Sequence, residues 1–150
     1  MLDNLAHRLA TAKGECPTCG RKGKRHAGLI PDPCITCNGA GEVYLLEGLR
    51  VECHHSIEHG KYFFQQNCPY CHGSSFVAST DMGAWTRAAL KLVDYMEVCS
   101  DDNEIEYFLF AYADKEGEPS RLRGYGHSND PLTALLLALA NVSEIAEALK

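Results

Sequence analysis

Seven of the chain's eight cysteines, Cys16, Cys19, Cys34, Cys37, Cys53, Cys68 and Cys71, crowd into its first half, while Cys99 stands alone. Six of them form Cys-x-x-Cys pairs: Cys16-Pro-Thr-Cys19, Cys34-Ile-Thr-Cys37 and Cys68-Pro-Tyr-Cys71. Such a pair sets two thiolates on one tight knuckle whose backbone N–H groups point at the sulfurs. Two pairs complete a tetrahedral site, and zinc is the ion that donor set suits best. Glycine follows each pair at once or after one residue, where the chain must reverse with little steric room. The pairs supply six thiolates and Cys53 a seventh, whereas two closed zinc sites need eight ligands.

Imidazole is the other common zinc ligand, and His54, His55, His59 and His72 lie among these cysteines. His72 directly follows Cys71 and would have to fold back past its own knuckle. His54 adjoins Cys53, and neighbouring side chains diverge on extended backbone. The expected eighth ligand is therefore His59, with His55 as the alternative, and the expected load is two zinc ions per chain. Two wirings use these ligands. In a sequential one, Cys16, Cys19, Cys34 and Cys37 hold one ion, and Cys53, His59, Cys68 and Cys71 the other. In a nested one, the 16/19 and 68/71 pairs share an ion, and 34/37 join Cys53 and the histidine. A module with so few core-forming residues needs such a staple.

The elements that position these ligands follow from spacing. Leu2, Leu5, Ala6 and Leu9 predict an amphipathic helix within residues 1–13. Glycine and proline density between Cys19 and Tyr62 favours turns and short strands across a cysteine-rich module at 14–79, with Val43 to Leu46 and Leu49 to Glu52 forming one hairpin. Thr80-Asp81 marks a helix start and hence a boundary near Ser79. Beyond it, Trp85, Ala88, Ala89, Leu92, Val93 and Met96 predict one helix up to about Cys99, which would bury that cysteine as a small apolar residue. Ile105 to Ala113 reads as a strand, Asp114 to Gly117 as a turn and Ser120 to Gly126 as a weaker strand. Asp130-Pro131 then opens a last helix with an apolar face from Leu132 to Leu149. The expected fold class is α+β: a small zinc-stapled hairpin module followed by an α-β-β-α sandwich-like domain at 80–150.

The second and third knuckles, CITCNGAG and CPYCHGSS, resemble the CxxCxGxG repeat of the cysteine-rich domain in DnaJ-type chaperones. Cys34-Ile-Thr-Cys37-Asn-Gly39-Ala-Gly41 matches it fully, and Cys68-Pro-Tyr-Cys71-His-Gly73 keeps the first glycine but has Ser75 at the second. CPTCGRKG misplaces a glycine against that repeat, a further repeat is reduced to Cys53 alone, and the His-Pro-Asp tripeptide of a J-domain does not occur. The resemblance therefore covers the zinc module and not a chaperone. The second half resembles the phage ABA-sandwich domain through Trp85, the strand Ile105 to Ala113, and Gly124-Tyr-Gly126-His-Ser-Asn-Asp130-Pro131-Leu-Thr-Ala134 before an alanine- and leucine-rich helix. That likeness implies a phage or prophage origin and no activity.

Charge divides the chain as sharply as cysteine does. Residues 1–79 carry a net +1 and residues 80–150 a net −7, within an overall −6. The basic run Arg21, Lys22, Lys24 and Arg25 beside the first knuckle is the candidate nucleic-acid contact, which would be salt-dependent. Against it stand the acidic second half and the lack of a recognition-helix zinc-finger pattern. Catalysis is not expected. Catalytic zinc keeps an open position, whereas eight protein ligands fill both sites, and no H-E-x-x-H, deaminase, phosphate-loop or G-x-S-x-G motif occurs. His127, in a loop before an N-cap, is expected to be exposed and idle, and Cys99 has no basic neighbour to activate it. The longest apolar stretch, Leu132 to Ala140, is far short of the ~20 residues that span a bilayer, and Met1 to Ala12 lacks the order of a secretory signal. The expectation is an adaptor in the cytoplasm of a bacterial host, binding a protein partner, with nucleic acid as the alternative. Self-association through the strand Ile105 to Ala113 would make it a homodimer.

Overall fold

The computed structural model describes residues 2–20, 23–25, 32–53, 71 and 76–150. Helix α1 (Leu2–Thr11) forms where the leucine spacing predicts it, burying Leu9 and Ala10. Three two-stranded antiparallel ladders follow: β1 (Lys13–Glu15) with β4 (Glu42–Tyr44), β2 (Lys24–Arg25) with β3 (Asp32–Pro33), and β5 (Arg50–Glu52) with β6 (Phe76–Ala78). The expected hairpin of Val43 to Leu46 with Leu49 to Glu52 does not form, because β4 and β5 belong to different ladders. Between them Leu46 and Leu49 are 1% and 0% exposed, on either side of Gly48 at φ +74°. Burying both leucines outweighs a short ladder, since each contributes about 1.5–3 kcal/mol, and the chain dips into the core there instead. Arg50 closes this corner by stacking its guanidinium 3.3 Å from the Tyr44 ring centroid and donating to the Ala10 carbonyl.

Helix α2 (Met82–Leu92) starts on the expected cap, the Asp81 carboxylate accepting from the N–H groups of Gly83 and Ala84 at 3.1 and 3.2 Å. It stops seven residues earlier than the spacing predicts. Val93 turns extended, and Tyr95–Asp101 is a strand, β7, which pairs over its whole length with β8 (Glu104–Ala111). The apolar spacing of Val93 and Met96 fits a helix, but Tyr95, Val98 and the two-residue alternation also fit a strand, and the pairing with β8 decides. Asp94 fixes the switch: its N–H donates to the Phe110 carbonyl and its carboxylate accepts from the Tyr112 N–H. Cys99 is consequently exposed on β7 and not buried on a helix.

Strand β9 (Arg121–Ser128) completes an antiparallel sheet in the order β7-β8-β9, with a bulge between Leu109 and Phe110. The strand expected to offer a free edge, β8, is thus central and paired on both sides. The last helix is two: α3 (Pro131–Ala140), capped by Asp130, and α4 (Ser143–Ala148). The break falls at Asn141, whose amide donates back to the carbonyls of Tyr125 and Leu137. The order beyond Ser79 is therefore α-β-β-β-α-α within the expected α+β class.

One apolar core runs through both halves. Leu9, Ala10, Leu46 and Leu49 share it with Trp85, Leu109, Leu135, Leu139, Val142 and Ile145. Trp85 is fully buried, and its indole N–H donates to the Ser79 carbonyl at 2.7 Å. Helix α3 lies directly on β9. A Cβ at Gly124 would come 2.3 Å from the Ala138 carbonyl oxygen, and one at Gly126 2.3 Å from that of Ala134, so glycine sets the closeness of helix and sheet. Among the described residues no helix is long and apolar enough to cross a membrane.

Candidate metal centre

The first two knuckles face each other across the β1-β4 corner. Cys16 follows β1, Cys34 follows β3, and each knuckle is wound by its own turn, Gly20 N–H donating to the Cys16 carbonyl and Gly39 N–H to the Cys34 carbonyl. The two are then tied by reciprocal bonds: Cys16 N–H donates to the Gly41 carbonyl at 3.0 Å, and Cys34 N–H to the Gly23 carbonyl at 2.9 Å. The same glycines donate to sulfur, Gly23 N–H to Cys19 Sγ at 3.3 Å and Gly41 N–H to Cys37 Sγ at 3.2 Å. Thr18 and Thr36 meet hydroxyl to hydroxyl at 2.8 Å. Apart from the turn donors Gly20 and Gly39, every partner is related to its counterpart by a shift of eighteen residues, so the site is a pseudo-twofold pair of half-sites.

That symmetry shows which glycine of the first knuckle is displaced from the repeat: it is Gly20, since Arg21 stands at the position of Gly39. Gly23 is the equivalent of Gly41, and both have positive φ, +69° and +78°. Gly20, at φ +56°, is the equivalent of Asn38, at φ +51°. Asparagine is one of the few other residues that enters this region readily, so the two knuckles solve one backbone problem differently. The missed signal lies in the sequence: aligning Cys16 with Cys34 also aligns Gly23 with Gly41.

All four sulfurs of Cys16, Cys19, Cys34 and Cys37 lie within 4.8 Å of one another. Across the pseudo-dyad, Cys16 Sγ is 3.9 Å from Cys34 Sγ and Cys19 Sγ is 3.6 Å from Cys37 Sγ. A regular tetrahedron with Zn–S bonds of about 2.3 Å has edges of about 3.8 Å, so the donor set and its spacing both fit zinc. Cys16 and Cys34 are fully buried and Cys37 nearly so. Electrostatics points the same way. Backbone N–H groups of Cys37 and Thr36 draw the Cys34 thiol down to about 6, against burial, while burial and the neighbouring thiols push Cys19 up to about 12. Four thiolates packed together repel, and a divalent cation is what lets the last of them ionise.

This is the first site of the sequential wiring. Of the remaining expected ligands, Cys53 and Cys71 are both buried, 8% and 0% exposed, and share a small apolar cluster with Val77 where the β5-β6 ladder ends. His55, His59 and Cys68 lie outside the described residues, as do Arg21 and Lys22. Lys24 and Arg25 form β2, in register with Pro33 and Asp32. His127 is exposed, its Nδ1 3.9 Å from a Glu104 carboxylate oxygen.

Comparison with known proteins gives a partial likeness. A stretch of 60 residues, 40% of this chain, is 40% identical to chaperone protein DnaJ 2 of Aromatoleum aromaticum, of which it spans 12%. No protein-family model matches the chain, and no solved structure does. The four-cysteine cluster and this likeness together fit a DnaJ-like zinc knuckle.

Proposed function

We propose that the chain is a phage-type zinc-binding adaptor of the bacterial cytoplasm that acts by binding a protein partner, carries two structural zinc ions and performs no catalysis. The observation that carries the reading is the Cys16, Cys19, Cys34, Cys37 cluster. Four protein sulfurs occupy every position of a tetrahedral ion, leaving none for substrate or water, and zinc so held stabilises a fold. The second ion is assigned to Cys53, Cys68, Cys71 and His59, with His55 as the alternative. The phage origin rests on the resemblance of residues 80–150 to the ABA-sandwich domain. Protein is favoured over nucleic acid as the partner class by the net charge of −6 and the acidic second half, which repel phosphate.

Native mass spectrometry of protein purified without added zinc tests the count. Two equivalents are expected, with Cys37→Ser and Cys53→Ser each losing a different one. One equivalent, or iron with visible absorbance, overturns it. Titration with duplex and single-stranded DNA and RNA tests the partner class. No specific complex is expected near physiological salt, where the acidic second half repels phosphate. Sequence-dependent binding that weakens when Arg21, Lys22, Lys24 and Arg25 are neutralised would make the alternative correct.

A further inference from the structure

Helix α3 packs against one face of the β7-β8-β9 sheet, the face of Tyr107 and Leu109, and residues of α1, α2 and α4 join the core on that side. Strand alternation turns Phe108 and Phe110 to the other face. There the register sets Tyr95 beside Phe110 and Phe108 beside Tyr125, and the rings form a continuous row. Tyr112 lies 5.4 Å from Tyr95, Tyr95 5.0 Å from Phe110, Phe110 6.4 Å from Phe108, and Phe108 5.0 Å from Tyr125, centroid to centroid. None of these rings is buried, and Tyr112 is 63% exposed. The outward face of a half-solvated sheet is ordinarily polar, so an aromatic row there marks a contact surface.

Its charge identifies the partner. The same face carries Glu97 and Asp101 on β7 and Glu104 and Glu106 on β8, and among the described residues no lysine or arginine is paired with an outward residue of β8; Arg123, at the β9 bulge, is engaged by the Leu92 carbonyl and the Glu144 carboxylate. A second copy stacked face to face would bring these carboxylates against their own images, which is costly. Nucleic-acid stacking platforms require the opposite sign of charge. Guanidinium and ammonium groups satisfy both features at once, since they lie on ring faces and neutralise a carboxylate rim. Side chains two apart on an extended segment are spaced about 6.5–7 Å, close to the 6.4 Å step between Phe110 and Phe108 along β8.

We infer that the open face of the β7-β8-β9 sheet docks an extended, arginine- or lysine-bearing segment of a partner protein, its cations seated on the Tyr112-Tyr95-Phe110-Phe108-Tyr125 row. The inference rests on the protein-binding reading above and gives it a surface. The test is fluorescence anisotropy of the full zinc-loaded chain with a labelled decapeptide alternating arginine and serine, beside versions with lysine, glutamine or glutamate in place of arginine. Saturable binding of the cationic peptides is expected, arginine tighter than lysine. It should weaken about threefold or more in Tyr112→Ala and about tenfold in Glu97→Lys, and hold in Glu147→Lys, on the helical side. Thermal unfolding of each variant confirms an intact fold. No saturable binding of the arginine peptide, or binding that both face variants leave unchanged, overturns the inference. An array of unrelated peptides separates this failure from that of the adaptor reading. Peptides retained equally by wild type and both variants would place the partner elsewhere and keep the adaptor, whereas an array that retains nothing removes both.

Discussion

The reciprocal role of Gly23 makes it the sharpest probe of the metal centre. Gly23→Ala puts a Cβ on a backbone at φ +69°, which costs an L-residue about 1–2 kcal/mol. The new atom would also stand 2.4 Å from the Gly39 carbonyl oxygen. Ordinary contact is about 3.4 Å or more, so backbone of the opposite knuckle must retreat by about 1 Å. That adds overpacking of about 1–3 kcal/mol. Metal binding and folding of the knuckles are coupled, so the total of about 2–5 kcal/mol enters the apparent zinc affinity, about 30-fold to several thousandfold. The matched control is Gly20→Asn. Asn38 already occupies the equivalent position, and only the mobile end of Glu15 stands near, so less than about a threefold loss is expected. Competition against a chromophoric chelator, run on the full chain, reads both. A Gly23→Ala protein that holds zinc as tightly as wild type, or a Gly20→Asn protein damaged as badly, would refute the paired half-site geometry.

Other consequences are as direct. Gly126→Ala, whose Cβ meets helix backbone, should lower urea-unfolding stability by about 3 kcal/mol. Gly83→Ala, facing only the flexible ends of Arg87 and Asp81, should raise it by about 0.4–1 kcal/mol. The Thr133 hydroxyl and N–H hold the Asp130 carboxyl below its usual range, so its stabilisation is present above the unfolded value of about 3.9 and disappears as pH falls through the lower folded one. Acid titration of Asp130→Asn by circular dichroism should show a shallower loss over that window. Leu9→Ala should cost about 2–5 kcal/mol and be felt at Trp85, because both belong to one core. A fragment of residues 80–150 with undiminished stability would contradict that sharing.

What was legible in the sequence was mostly local. Cysteine spacing named Cys16, Cys19, Cys34 and Cys37 as ligands but left open which of the pairs share an ion, and Asp81 and Asp130-Pro131 announced their helices because caps act within a turn. The failures are places where distant partners decide. Nothing near Met96 reveals that β8 waits to pair with it, so helical spacing and strand alternation compete on equal terms. The Val43 and Val51 segments look like one hairpin until β1 and β6 claim them separately. The sharing of a core by Leu9 and Leu139 was equally invisible, since composition and charge both change near Ser79 while packing does not. The pseudo-symmetry was written in the chain but obscured, because Arg21 stands where Gly39 does and breaks the repeat pattern.

The shared core also fixes an order of events during synthesis. Every sulfur and every reciprocal bond of the first centre is supplied by Gly41. The core that receives α1 is completed by α3, about ninety residues later, which is about 5–20 s of translation. A nascent chain can therefore close its zinc knuckles while Leu9, Leu46 and Leu49 still lack the helix that covers them. The metal centre then acts as an early anchor, joining chain segments whose hydrophobic partners have yet to leave the ribosome, and the apolar stripe of α1 is most open to wrong partners in that interval.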